Sequence, residues 1–119
     1  MDLTNYNLKT SEGLAQAIAH IFSEKKGKDI TTIKLTEKSV IADYFVVVSV
    51  SSTTAVKAIA DTLEEELEKY GIRHIHRDAG TKWIALDYAN VIAHIFHHEI
   101  RDFYNIERLW IDGDNLKKG

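Results

Sequence analysis

The stretch YFVVVSVSSTTAVKAIADTLEEELEKYGIRHIHR, from Tyr44 to Arg77, decides the fold class. Its opening residues, Tyr44 to Val50, form a short, nearly continuous apolar run rich in valine, the pattern of a strand buried on both faces. Ser51 to Thr54 then supply hydroxyls suited to a helix N-cap. Val56, Ile59, Ala60, Leu63 and Leu67 follow at helical spacing until Gly71. Ile72 to Arg77 reads as a further strand. Strand, helix and strand make a β-α-β crossover, right-handed if the two strands are parallel neighbours.

On the N-terminal side, Leu14, Ile18, Ile21 and Phe22 share one helical stripe, which predicts a helix over Ser11 to Lys26. Gly27 stands where helix ends favour glycine. Ile33 and Leu35 alternate with polar residues as in a strand. On the C-terminal side, WIALDY (Trp83 to Tyr88) and VIAHIF (Val91 to Phe96) are two strands separated by Ala89 and Asn90. That separation suits a two-residue hairpin, in which Asn90 tolerates a positive φ and Ala89 does not favour one. A short amphipathic helix from about His98 to Tyr104 leads to Ile106, Leu109 and Trp110, and the tail DGDNLKKG reads as frayed. The order is α-β-β-α-β-β-β-α, an α/β (α+β) fold with a mixed sheet of about five strands and flanking helices. Without repeat or linker, residues 1–119 read as a single domain, its core over about 11–112 and its tail over 113–119.

Composition removes several function classes. The 119 residues are 45% hydrophobic and 28% charged, an ordinary globular balance. Zero cysteines exclude disulfides, thiolate metal sites and cysteine nucleophiles. A net charge of -3 gives no broad attraction to phosphate backbones, and no local basic patch is evident in the sequence. The acidic run DTLEEELE, from Asp61 to Glu68, reads as a solvated helix face, or more sharply as a surface for a basic partner. No apolar run approaches the roughly 20 residues needed to span a bilayer. MDLTNYNLKT lacks the features of a signal or transit peptide, so the cytoplasm is expected.

Catalytic constellations fail on geometry. In a strand, His94 points with Ile92 and Phe96, while His97 and His98 point to opposite sides of the following turn. HHE does not have the spacing of a helical HExxH zinc site. His74 and His76 would share one strand face, a conceivable metal pair but more simply an exposed edge. The sequence has no G-x-S-x-G elbow and no glycine-rich phosphate loop, and the hydroxyls of SVSSTT are more simply helix caps. Nucleotidyltransferases bind magnesium through two carboxylates two residues apart on a strand. Here Asp87 has no acidic partner at residue 85 or 89, and Asp43 is followed two residues on by Phe45. No cofactor and no metal are expected. What remains is aromatic: Trp83, Tyr88, Phe96, Phe103, Tyr104 and Trp110 gather in the last third of the chain beside Asp87, Glu99, Arg101 and Asp102. Such residues either complete a core or form a binding hot spot. Parity puts Trp83 and Asp87 on one strand face, with Ile84, Leu86 and Tyr88 on the other.

DYFVVVS (Asp43 to Ser49), AVKAIADTLEEEL (Ala55 to Leu67), WIALDYANVIAHIF (Trp83 to Phe96) and RDFYNIERLW (Arg101 to Trp110) resemble, in order and spacing, the ribosomal silencing factor family, RsfS or Iojap. The resemblance covers about residues 11–112. It departs from the family pattern at Val50, within a turn where members often carry glycine, and at Asn90, where they commonly carry aspartate. It implies a nucleotidyltransferase-like fold without that activity and a protein that is often a homodimer. It also implies binding to the large-subunit ribosomal protein uL-fourteen, which blocks joining of the small subunit and represses translation when nutrients are scarce. The same resemblance implies a partner surface of Trp83, Asp87, Tyr88 and Asn90, with Tyr104 added. In it, Trp83 and Tyr88 would be apolar anchors and Asp87 an acceptor for a basic residue.

Overall fold

The structure, a computed structural model, describes residues 1–35 and 42–100. Seven elements follow in order: α1 (Ser11–Glu24), β1 (Lys28–Lys34), β2 (Tyr44–Val50), α2 (Thr53–Glu68), β3 (His76–Ala79), β4 (Trp83–Asp87) and β5 (Val91–His97). Residues 98–100 turn helical after β5. The remainder of the expected C-terminal helix, with Tyr104 and Trp110, lies outside the described residues.

Each helix begins where a hydroxyl can replace a missing backbone acceptor. Thr10 Oγ1 accepts from Gly13 N at 3.0 Å, and Ser52 Oγ accepts from Ala55 N at 3.1 Å. Both helices close with paired backbone bonds of the Schellman kind. In α2 these run from Gly71 N to Glu68 O and from Ile72 N to Leu67 O, with Gly71 at φ 78°. At the end of α1 the left-handed position falls on Lys26 (φ 62°) and not on Gly27. The reason is steric: a Cβ on residue 27 would stand 2.3 Å from Val48 Cγ2, so glycine is required one position later, where the chain presses on β2.

The sheet has the order β1-β2-β5-β4-β3. β2 and β5 are parallel, with Val46 opposite Ala93, and the other three pairings are antiparallel. The crossover through α2 therefore does not join adjacent strands. β3 runs in the direction of β2 but sits at the far edge, with β5 and β4 between them. It also begins four residues later than the sequence reading, because Ile72 N is spent on closing α2. Pairing resumes only at Ile75, whose N–H donates to Asp87 O at 2.8 Å.

Both helices pack on one face of the sheet. Leu14, Ile18, Ile21 and Phe22 of α1 and Val56, Ile59, Leu63 and Leu67 of α2 bury against Val46, Val48, Ile84, Leu86 and Ile95. Each such side chain stabilises the fold by about 1.5–3 kcal/mol on area grounds. The opposite face carries a second apolar cluster of Ile33, Leu35, Ala42, Phe45, Val47 and Phe96, bordered by Ile92 and Ile100. The acidic run is partly spent inside the molecule: Arg77 of β3 bridges Asp61 Oδ1 at 3.2 Å and Glu64 Oε2 at 2.9 Å. Hydrogen bonding from Lys57, opposed by burial and aided by Arg77, holds the Asp61 carboxyl below its usual range.

Candidate partner-binding surface

The β4–β5 hairpin sets Trp83 opposite Phe96, Ala85 opposite His94 and Asp87 opposite Ile92. These six side chains occupy the face away from the helices, as the alternation of a strand requires. Trp83 stacks on Phe96 with ring centroids 4.8 Å apart and an interplanar angle of 28°. Its Nε1 donates to His94 Nδ1 at 3.3 Å. His94 in turn stacks on Phe96 and meets the edge of Phe45 at 4.6 Å. Phe45, His94 and Phe96 are buried, whereas Trp83 is 36% exposed. Trp83 is thus the outer layer of an aromatic stack anchored in the sheet. It borders a groove of about 490 Å³ lined by Ala79, Gly80, Ala85 and Ile100, with Asp78 and Lys82 at its rim.

Accepting a hydrogen bond from Trp83 Nε1–H at Nδ1 makes His94 the Nε2–H tautomer. That Nε2 is buried and has no hydrogen-bond partner among the described residues. Burial lowers the His94 pKa to about 4, so the ring is neutral at ordinary pH. His94 is a buried spacer beneath Trp83, on the face it shares with Ile92 and Phe96.

The remaining expected residues do not share this patch. Asp87 lies on the same face as Trp83, four positions along β4, or about 13 Å away. Its Oδ1 accepts from Ala89 N at 2.7 Å, which closes the hairpin turn. Ala89, not Asn90, takes the left-handed conformation, at φ 71°, and Asn90 N donates to Tyr88 O at 2.9 Å across it. Asn90 is exposed, and its carbonyl receives Asp43 N and Tyr44 N at 2.8 and 3.3 Å, tying the turn to the start of β2. Tyr88 faces the helices and is only 7% exposed. Its ring meets His74 edge-on at 6.4 Å, and its hydroxyl has no partner among the described residues. Burial, and then the charge of Glu64, raise the Tyr88 pKa. Tyr88 cannot be an exposed anchor: the parity that gives Trp83 to the open face gives Tyr88 to the core. A Tyr88→Glu change would consequently disturb the fold. Tyr104 lies outside the described residues.

The histidines also differ from their sequence reading. His74 precedes β3 and pairs with Glu64 at 3.2 Å, while His76 pairs with Asp78 at 3.0 Å, so the two share no strand face. His97 is nearly buried, and its ring stacks on that of exposed His98 with centroids 4.5 Å apart. The helical turn at 98–100 replaces strand alternation and brings these side chains together. One donor atom each from His97, His98 and Glu99 lies within 4.8 Å of the others, a nitrogen and oxygen set that a zinc-like ion could use. Glu99 Oε2 already faces Lys82 Nζ at 3.7 Å, and His97 Nδ1 accepts from Glu99 N at 3.2 Å.

The described residues thus form a mixed five-stranded sheet with two helices on one face and a groove bordered by Trp83 on the other. Asp87 stands opposite His76 and Ile92 in the sheet, with no second carboxylate directly across from it. The family model described as "Ribosomal silencing factor during starvation" matches residues 8–118, and the chain belongs to that family, whose members are regulators of the ribosome and not enzymes. It is 35% identical over 106 residues to the ribosomal silencing factor RsfS of Zymomonas mobilis, covering 87% of this chain and 79% of that one. Against RsfS of Halalkalibacterium halodurans the identity is 30% over 111 residues, with 91% and 94% covered. A crystal structure from Bacillus halodurans superposes with a TM-score of 0.74 at 27% identity, covering 83% of this chain and 94% of that one. No helix among the described residues is long and apolar enough to cross a membrane.

Proposed function

We propose that this protein binds the large ribosomal subunit through the ribosomal protein uL-fourteen and blocks joining of the small subunit by steric occlusion, repressing translation when nutrients are limiting. The observation that carries the reading is the half-exposed Trp83, held rigid by Phe96 and His94 beside an apolar groove. A pre-ordered indole loses little conformational freedom on docking, and tryptophan is among the residues that dominate binding energy. The docking surface runs along β4 from Trp83 to Asp87 and Asn90, and Tyr88 supports it from behind. Tyr104 remains part of the proposed surface on the family resemblance. The net charge of -3 suits a basic ribosomal protein, and an interface of about 1,600 Å² would attach it without nucleotide consumption. When free, the protein is a homodimer in the cytoplasm.

Sedimentation of the purified protein with separated subunits, followed by a subunit-joining assay, tests this. Large-subunit binding alone and a lowered joined fraction are expected. Trp83→Ala should weaken co-sedimentation at least tenfold with an unchanged circular dichroism spectrum. Binding of Trp83→Ala at the wild-type level would move the surface elsewhere.

A further inference from the structure

A second cavity, of about 350 Å³, opens on the helix side of the sheet, where α1 ends and α2 begins. Lys25, Lys26 and Lys28 line one wall, Val50, Ala58 and Ile59 another, and Ser51 and Thr62 add hydroxyls. The sequence reading finds no basic patch in this acidic chain, yet the fold collects these three ammonium groups at one cavity. None of them has an ion-pair partner among the described residues, although ten other basic groups, including the N-terminal amine, do.

The backbone that carries them is held in place. Gly27 is pressed on Val48, Lys26 sits in the left-handed region with its N–H donating to Ser23 O, and Lys28 is paired with Ser49 in the sheet. α2 opens beside them with no acidic residue in its first turn, so the positive end of its dipole adds to the field and is not neutralised. The cavity lies outside the carboxyl end of β2, the side on which sheets with parallel strands receive ligands.

We propose that this cavity binds a nucleotide, with its phosphates held by Lys25, Lys26 and Lys28 and its base against Val50, Ala58 and Ile59. Its volume falls in the range of small-ligand pockets, and it joins a cationic wall to an apolar one, as the two halves of a nucleotide require. The nucleotide comes from an RNA strand. Trp83, Phe96, Ser49 and Lys28 stand in one row across four strands, which places the lysines about 15 Å from the docking groove, around the end of the sheet. RNA beside a docked ribosomal protein lies within that reach; this source rests on the proposed function, whereas the pocket does not.

The test uses the full chain without ribosomes, so it stays separate from the outcome for Trp83. A short oligouridylate and, in a parallel titration, adenosine triphosphate are added while the amide signals of Ser51, Ala55 and Thr62 are followed by NMR. The oligonucleotide should shift these signals. The Lys25→Glu, Lys28→Glu double variant should bind at least tenfold more weakly with an unchanged melting midpoint, and its log K against log salt should be shallower by about 0.7 per lysine removed. Shifts with adenosine triphosphate alone would keep the pocket and overturn RNA as its source. No shift at these amides with either probe, or equal binding by the double variant, would overturn the proposal.

Discussion

Ala89, Lys26 and Tyr88 sit in conformations or surroundings that their chemistry disfavours, and each yields a measurable effect. Ala89 holds φ 71° in the hairpin turn, a region that costs a non-glycine residue about 1 kcal/mol. Ala89→Gly should therefore raise the unfolding free energy read from a urea titration, as should Lys26→Gly, by roughly 0.5–1 kcal/mol each. Gly27→Ala should do the reverse, since its new Cβ would collide with Val48. At Tyr88 the buried hydroxyl has no partner among the described residues, so Tyr88→Phe should leave thermal stability unchanged or raise it. A loss of more than about 1 kcal/mol would mean that the hydroxyl is paired.

His94 carries a pH dependence whose sign follows from its burial. The folded pKa of about 4 lies below the ordinary value of 6.5, so the unfolded chain binds the extra proton first. Its contribution is fully present above pH 6.5 and is lost as pH falls from there to about 4, a few kcal/mol in all. Denaturation at a series of pH values should show this slope, and His94→Gln should flatten it. Because Trp83 donates to His94, its fluorescence in the folded protein should change around pH 4, where the ring itself takes up a proton. Strand parity set His94 on one face with Ile92 and Phe96; the bond from Trp83 was not legible, because it depends on the register between two strands.

At the level of elements, local periodicity and capping made most of the fold readable. β2, both helices and the hairpin strands appear within a few residues of their expected bounds, because each rests on its own apolar repeat and caps. Ser52, expected among the cap hydroxyls, caps α2, and Ser52→Ala should cost about 1 kcal/mol in a denaturant titration. β3 was less legible. Its residues His76–Ala79 carry no apolar alternation, and its position comes from pairing with β4 and from Arg77 reaching Asp61 and Glu64. The placement of β5 between β2 and β4 was equally hidden, since no local pattern reports which strands become neighbours. The convergence of His97 and His98 arises where strand becomes helical turn, a boundary that sequence locates poorly.

Across the whole molecule, charge and shape divide the work. The candidate surface was half legible: parity separated Trp83 and Asp87 from Tyr88, but only the packed sheet showed that the helices cover the Tyr88 face. The excess negative charge should steer the protein toward a basic partner, so its association rate with large subunits should fall as salt rises, while dissociation changes less. Stopped-flow mixing at several ionic strengths checks this, and a salt-independent association rate would argue against steering.

The parallel pairing of β2 with β5 has a consequence for synthesis. β2 cannot acquire both of its neighbours until the residues through His97 have been made, so nearly all of the described chain must be translated before the sheet closes. Trp83 gains its support from Phe96 only at that same moment. A nascent chain therefore emerges with the proposed docking face still unformed, and Trp83 takes its place on that face only after β5 has been made.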